Sequence, residues 1–258
     1  MKTLRPLFLF VALLLVIGMA CSFGAGGGNT PAPAQPQQEE PQAPPPQPEE
    51  TEEPEPVTEE PVATPEPVSQ QYFTEEFDQD PQWSYFLTTD SDEDKISVEF
   101  DNSLMTFDFE ETYIFAYYLY EQFEYGDVRI DMRAENRGKN NNNISLVCRA
   151  TTEGWYEFST EGGGLWYLYA VTINDENKAV YNRIDNGGAQ SLKQGKEVNE
   201  FGMVCEGNEI TLIVNGKELK TVEDKEYSFD DGGVGFNISS LNVTPITVEV
   251  DWFKISEP

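Results

Sequence analysis

Apolar and polar residues alternate over many short stretches of this chain, which is the pattern of half-buried β-strands. The alternation is clearest at 127–133, at 96–100 and at 246–252, where apolar side chains share one parity. Residues 209–214 are followed by Asn215-Gly216 and a second apolar-polar stretch, which predicts a hairpin because Asn-Gly suits a type I′ turn.

Further strands are predicted near 103–109, 113–120, 143–151, 154–160, 165–172, 178–184, 200–206 and 232–239. Between them, turn residues recur about every ten residues, at Arg137-Gly138, Glu161-Gly162-Gly163-Gly164, Asn186-Gly187-Gly188, Glu206-Gly207-Asn208 and Asp231-Gly232-Gly233. This spacing predicts an all-β domain over 71–258, built as a two-sheet antiparallel sandwich.

The first twenty residues have the pattern of an export signal. Lys2 and Arg5 precede an unbroken apolar run from Leu7 to Ile17, and small residues follow it. A helix of eleven residues covers only about 16 Å, roughly half of a bilayer core, so a membrane-spanning helix is the weaker alternative.

Cleavage before Cys21 would make that cysteine the new N-terminus. The stretch resembles the lipobox of bacterial lipoproteins, in which this cysteine receives acyl chains. The resemblance implies a lipid anchor on the outer side of a bacterial membrane, and several acyl chains hold a protein there firmly. The alternative is a secreted protein in which the cysteine is incidental.

Residues 21–70 form a separate region that is rich in proline and glutamate, and its part from Gly24 onward contains no lysine or arginine. Such a composition cannot form a core, so we expect a disordered, extended stalk.

The net charge excludes some partners and some chemistry. The chain has 47 acidic and 16 basic residues, a net charge of −31, and no histidine. Its surface should repel nucleic acid and anionic lipid, so the membrane is reached through the lipid anchor only. Catalytic systems that need a histidine, such as Ser-His-Asp, are excluded.

Several pieces of the domain follow one another in a recognisable order. They are FTEEFDQDPQW, NSLMTFDF, GDVRIDMRAEN, ISLVCRATTEGWYEFSTEGGGLWYLY, NEFGMVCEGNEITLIVNGKEL, GGVGFNI and ITVEVDWFKIS. This arrangement resembles concanavalin A-like jelly rolls of the laminin-G and 3-keto-disaccharide hydrolase-like group, and 199–216 is its most specific part. The resemblance implies two curved sheets and a concave outer face, on which many relatives hold sugars.

Two cysteines lie on the core parity of their strands. Cys148 shares the parity of Ile144 and Leu146, and Cys205 that of Phe201 and Met203. The jelly-roll topology could place the two strands together, which predicts a disulfide; the alternative is two buried free thiols.

The opposite parity supplies candidate sugar-binding residues. Val147 and Arg149 should face outward when Cys148 faces the core, and on the next strand Trp155 and Glu157 should do the same. Aromatic rings stack on sugars and charged groups bond their hydroxyls, although such rings also occur in sheets for packing alone. Trp166, Tyr167 and Tyr169 are aromatic on both parities, so at least one of these rings is exposed whichever way their strand sits, and Tyr181 and Arg183 alternate on a further strand. The predicted ligand-binding residues are Arg149, Trp155, Glu157, Tyr167, Tyr169 and Arg183.

Binding of a glycan without catalysis is therefore the first functional prediction. The E-x-D-x-x-E pattern of laminarinase-type relatives does not occur, so no catalytic residue is predicted and enzyme activity is the less favoured hypothesis. The alternatives are a glycoside-acting hydrolase of the same fold and a structural or adhesive module that binds protein.

Calcium is the only cofactor that the sequence suggests. Asp90, Asp92 and Asp94 alternate and offer carboxylate oxygens to a hard cation, as a structural calcium site requires. The alternative is a solvated acidic loop.

Overall fold

The structure is a computed structural model that describes residues 71–89 and 91–258. The predicted leader, Cys21, the predicted stalk and Asp90 lie outside the described residues. Within the described part of the chain, no helix is both long and apolar enough to cross a membrane.

The described residues form fifteen β-strands and one short 3₁₀ turn at Glu93–Lys95. The strands are β1 (Phe73–Glu75), β2 (Ser84–Leu87), β3 (Ile96–Asp101), β4 (Leu104–Phe109), β5 (Phe115–Tyr120), β6 (Val128–Asn136), β7 (Asn142–Ala150), β8 (Gly154–Glu161), β9 (Leu165–Ile173), β10 (Ala179–Gly188), β11 (Val198–Glu206), β12 (Glu209–Val214), β13 (Lys217–Glu223), β14 (Gly233–Ser240) and β15 (Ile246–Ser256).

The strands make two antiparallel sheets. The eight-stranded sheet has the order β13-β12-β11-β6-β15-β4-β3, with β1 also paired to β15. The seven-stranded sheet has the order β10-β9-β8-β7-β14-β5-β2. The predicted two-sheet antiparallel sandwich is confirmed, and of the fifteen strands only the short β1 and β2 were not predicted.

The main core lies between the sheets and is built by the alternation seen in the sequence. On β6, Val128, Ile130 and Met132 are fully buried, whereas Arg129 and Asp131 between them are partly exposed and pair with each other. Burial of the apolar parity on both sheets holds the sandwich together.

The predicted disulfide is confirmed, and it joins the two sheets. Cys148 lies on β7 of the seven-stranded sheet and Cys205 on β11 of the eight-stranded sheet. Both residues are fully buried in the main core. The bond therefore links the two layers through their shared interior.

The hairpin prediction is confirmed at β12 and β13. Asn215 and Gly216 form the two-residue connection with φ values of 53° and 70°. Positive φ at both central residues is the requirement of a type I′ turn, which explains why asparagine and glycine occupy these positions.

One predicted turn is instead the end of a strand. Asn186, Gly187 and Gly188 continue β10 and pair with β9 beyond a register shift near Arg183. Gly187 is small because the indole of Trp166 packs on it, and a Cβ there would lie 2.8 Å from the indole nitrogen. Glycine inside a strand here marks the close approach of a ring.

Candidate functional site

The outer face of the seven-stranded sheet is strongly concave. The hydroxyls of Tyr117 on β5 and Tyr181 on β10 lie 2.7 Å apart, although five strand spacings separate their strands. In a flat sheet the two strands would be about 24 Å apart, and two tyrosine side chains span only roughly half of that distance. The sheet must therefore bend around this face, which we call the groove.

Aromatic side chains from both edges of the sheet meet across the groove. Phe86 on β2 stacks on Tyr117, with ring centroids 5.0 Å apart and an interplanar angle of 4°. Tyr117 meets Trp155 edge-on at 5.2 Å, and Tyr181 meets Tyr169 in the same manner at 5.8 Å. The side chains of Phe86, Tyr117, Trp155 and Tyr181, together called the aromatic bridge, belong to a second hydrophobic cluster outside the main core.

A directed chain of hydroxyl groups runs through the aromatic bridge. Tyr117 donates its single proton to Glu157 Oε2 at 2.7 Å, so the hydrogen bond between the two tyrosines must be donated by Tyr181. The hydroxyls of Thr88 and Tyr181 lie 3.2 Å apart. Because Tyr181 has already donated its proton to Tyr117, Thr88 must be the donor of this bond. Glu157 is thus the final acceptor of the chain.

Glu157 is a buried carboxyl at the centre of the groove. Its side chain lies on β8, only 3% of the residue is exposed, and it also accepts a hydrogen bond from Trp155 Nε1 at 3.3 Å. Burial raises the pKa of Glu157 above its ordinary value, although the hydrogen bonds from Tyr117 and Trp155 act in the opposite direction.

The raised pKa predicts a pH-dependent loss of stability. The folded chain holds the Glu157 proton over a range in which the unfolded chain, with a glutamate pKa near 4.5, has lost it. The contribution of this carboxyl to stability is therefore full below pH 4.5 and is lost as the pH rises through the folded-state pKa. Replacing Glu157 by glutamine removes that loss, so the variant should gain stability relative to the parent from pH 4.5 upward.

Urea unfolding of both proteins across this pH range measures the difference. The matched control is Glu153→Gln, which removes one carboxylate from an exposed turn and corrects for the change in net charge. A difference between Glu157→Gln and the parent that is independent of pH, or that falls as the pH rises, would contradict the assignment.

A cavity of about 800 Å³ opens beside the aromatic bridge. Phe86 and Trp155 contribute rings to its wall, Leu119 and Ile173 contribute aliphatic surface, and Lys178 contributes a cation. Hydroxyl groups and carboxylates also line it, and they belong to Thr88, Thr89, Thr151, Thr152, Glu121 and Glu176. Its volume lies in the range of ligand pockets, and its lining is more polar than is usual for them, because eight of the thirteen lining residues are polar.

Five of the six predicted ligand-binding residues lie together along the groove. Arg183 is directly opposite Tyr169, and Tyr169 is directly opposite Glu157 on the neighbouring strand. Tyr167 stacks against Tyr169 with centroids 5.8 Å apart. Trp155 shares this face but is buried in the aromatic bridge, not exposed as the sequence led us to expect.

Arg149 does not join them, which corrects the expectation that it faces outward beside Val147. Its backbone has a φ of 54°, and the pairing of β7 with β14 shifts register at this point, so its side chain leaves the groove parity. Only 3% of Arg149 is exposed, and its guanidinium donates to three backbone carbonyls at one end of the sandwich, those of Gly126, Gly207 and Phe229.

Solved structures share this architecture. A protein of unknown function with a galectin-like fold from Bacillus subtilis superposes with a TM-score of 0.54 at 8% sequence identity, covering 72% of this chain and 94% of that one. A Bacteroides ovatus mixed-linkage glucan enzyme in complex with a product superposes with a TM-score of 0.53 at 9% sequence identity, covering 71% of this chain and 99% of that one. A lichenase from a mouse hindgut metagenome superposes with a TM-score of 0.52 at 11% sequence identity, covering 73% of this chain and 100% of that one.

The domain has a concanavalin A-like jelly-roll fold. The resemblance noted in the sequence is confirmed at the level of the fold. The chain matches no known family model and no curated protein.

The jelly roll contains groove residues that the sequence reasoning missed. Phe86 lies on β2, a strand too short to show a period, and Tyr117 lies on β5, whose aromatic residues occupy both parities. Asn237 lies on β14 among glycines and serines, which gave no signal. The run of aromatic residues in β5 was the one pattern that could have indicated a ring on the outer face.

The acidic loop of the jelly roll shows no metal arrangement within the part that is described. Asp92 accepts a hydrogen bond from the backbone of Asp94, and its own backbone N–H donates to Glu111. Over 71–89 and 91–258, no group of three or more acidic, cysteine or histidine side chains is arranged to hold a metal ion. Asp90 lies outside the described residues, so the calcium site stays a prediction.

Proposed function

We propose that the jelly-roll domain binds carbohydrate in its groove without hydrolysing it. The observation that carries the proposal is the cavity of about 800 Å³ beside the aromatic bridge, with Phe86 and Trp155 in its wall and threonine hydroxyls around them. A flat ring offers a surface for the C–H face of a sugar, and hydroxyl, amide and charged groups can bond its hydroxyls.

The comparisons support the same class of ligand. One similar structure is a β-1,3-1,4-glucanase and another is a mixed-linkage glucan enzyme in complex with a product. The jelly-roll fold is therefore one that accommodates glucan chains. The identities are low, so the support for this chain comes from the fold together with the composition of its own groove.

Hydrolysis is the second candidate, because a buried carboxyl with a raised pKa is the property that a general acid needs. We favour binding because Glu157 is enclosed by Tyr117 and Trp155, both of which donate to its Oε2. These side chains would have to move before a glycosidic oxygen could reach the carboxyl. Release of new reducing ends from a bound oligosaccharide, lost in Glu157→Gln, would favour the hydrolase instead.

Replacing Phe86 by alanine should weaken glycan binding. The change removes one ring from the cavity wall, and a single ring contact is worth about 1 kcal/mol, so we expect a loss of affinity of roughly fivefold. A glycan array carried out with the full chain identifies the ligand, and calorimetry then gives its affinity for each variant.

The adjacent Tyr85 provides the control. It lies on the same strand, packs on Tyr118 of the opposite parity and is 44% exposed. Tyr85→Ala should leave affinity unchanged within about twofold. Equal losses in both variants would mean that β2 matters only for stability, and the absence of binding to any glycan would refute the proposed function.

We also propose that Cys21 carries the acyl chains that hold the protein on the outer side of a bacterial membrane. The apolar run from Leu7 to Ile17 and the cysteine that follows it support the proposal. Mass spectrometry of the mature chain should find diacylglycerol on an N-terminal Cys21, and Cys21→Ala should release the protein from the membrane fraction. A leader that is still intact, or an unmodified start elsewhere, would contradict it.

A further inference from the structure

A strip of small polar side chains crosses the floor of the groove. Ser159 on β8 lies opposite Ser145 on β7, Ser145 lies opposite Asn237 on β14, and Asn237 lies opposite Tyr117 on β5. Ser159, Ser145 and Asn237, which we call the polar strip, are each no more than 1% exposed. A polar row at this depth needs hydrogen-bond partners, because burial of an unpaired polar group is costly.

The internal partners do not satisfy the polar strip. Ser145 donates to Ser159 at 3.0 Å, and Ser239 donates to Asn237 Oδ1 at 2.6 Å. The amide nitrogen of Asn237 is left without a partner among the described residues, as is Oδ1 of Asn143, which lies opposite Ser239. Each such group costs about 1–3 kcal/mol, and native proteins seldom leave one without a reason.

Tyr117 covers this part of the floor. Its side chain starts on β5 and reaches Glu157 on β8, so it must cross the two strands between them, β14 and β7. The polar strip lies on those strands and on β8. The cover is held in place by the hydrogen bonds of the Tyr117 hydroxyl to Glu157 and Tyr181.

We propose that the polar strip is a binding subsite for the hydroxyl groups of an uncharged sugar, and that Tyr117 covers it until the ligand takes its place. A sugar hydroxyl can accept from the free Asn237 amide and donate to Asn143 Oδ1, whereas an apolar group can do neither. This inference rests on the proposed function and names the polar subsite and ligand class of the same groove.

The charges around the polar strip favour an uncharged ligand. Glu157 is on the same face beside Ser159, and Glu161 lies directly opposite Asn143. Neither the strip nor its direct register partners Tyr117 and Tyr167 is basic. Acidic sugars would therefore meet two carboxylates beside the strip, whereas Arg183, the arginine of the groove, lies on β10, two strands away from Ser159.

The test follows the side-chain amide resonances of Asn237 by NMR in the full, isotope-labelled chain, with the assignment made from the Asn237→Ala variant. The probes are glucose, galactose, mannose and N-acetylglucosamine, and glucuronate serves as the charged counterpart. We expect saturable shifts of the Asn237 amide with at least one neutral sugar and none with glucuronate. The Asn182 amide, which has three acceptors on β9 and β10, should stay unchanged.

Tyr117→Phe tests the cover with little change in shape. The variant keeps the ring but loses the bonds to Glu157 and Tyr181, so the neutral sugar should bind several-fold more tightly than it binds the parent. Tyr85→Phe is the matched control, since it removes a tyrosine hydroxyl outside the groove.

The outcomes separate this inference from the proposed function. An Asn237 amide that no sugar shifts, in a protein that binds glycans through Phe86, would overturn the subsite and leave the proposed function standing. Shifts with glucuronate equal to those with neutral sugars would overturn the ligand class. Unchanged affinity in Tyr117→Phe would refute the claim that Tyr117 covers the polar strip, and the absence of glycan binding altogether would refute both proposals.

Discussion

Replacing Cys148 and Cys205 together by alanine should lower the free energy of unfolding by about 4 kcal/mol. The disulfide closes a loop of 57 residues, and the chain-entropy relation gives that value for a loop of this length. The bond joins the segments that form β7 and β11, so its removal lets these two segments move apart in the unfolded chain and raises the entropy of that state. Urea unfolding of the full chain, with and without reductant, measures the effect.

The reduced parent is the control for the disulfide. If the loss arises from the cross-link, reduction of the parent should destabilise it by nearly as much as the double substitution, and reductant should leave the alanine variant unchanged. A double variant as stable as the oxidised parent would show that the cross-link contributes little.

Replacing Arg149 by methionine should lower the free energy of unfolding by about 3–5 kcal/mol. Methionine has a similar length but cannot donate, so the carbonyls of Gly126, Gly207 and Phe229 would lose their charged partner. These carbonyls belong to three separate connections between strands, and Arg149 is the donor that they share. The loss should therefore appear in stability and leave the affinity for glycan intact.

Arg133→Met is the matched control for Arg149. Arg133 pairs with Asp251 at 2.7 Å, but its side chain is 42% exposed, and exposed ion pairs contribute at most about 1 kcal/mol. Equal effects of the two substitutions would mean that the buried contacts of Arg149 add nothing. If Arg149→Met lost glycan affinity but kept the stability of the parent, Arg149 would have to be a ligand-binding residue of the groove.

Alternation predicted most strands and the inward direction of both cysteines, because the side-chain period of a strand follows directly from its backbone geometry. The same rule failed at Arg149, where a positive φ and a register shift change the side on which the residue lies. Nothing in the local sequence marks that change, because arginine seldom adopts this conformation. Strands β1 and β2 were missed because three or four residues are too few to show a period.

The sequence predicted which side of the sheet carries the groove, but it did not predict which side chains meet across it. Parity placed Trp155 and Glu157 outward but left open which of the rings at Trp166, Tyr167 and Tyr169 is exposed, and the resemblance to jelly rolls implied that this face is concave. The meeting of Tyr117 with Tyr181 depends on the order of six strands and on the bend of the whole sheet. Local pattern carries no information about either, so the burial of Trp155 and the closure of the groove required the structure.

The pairing of β1 with β15 has a practical consequence. These strands are the first and last of the strands described, they lie side by side in the eight-stranded sheet, and the groove is on the other sheet. A reporter or an immobilising tag fused at either end would therefore be carried by the layer opposite the ligand. For the same reason, a short linker between these two ends should permit circular permutation, with new ends cut into a surface turn and the groove left unaltered.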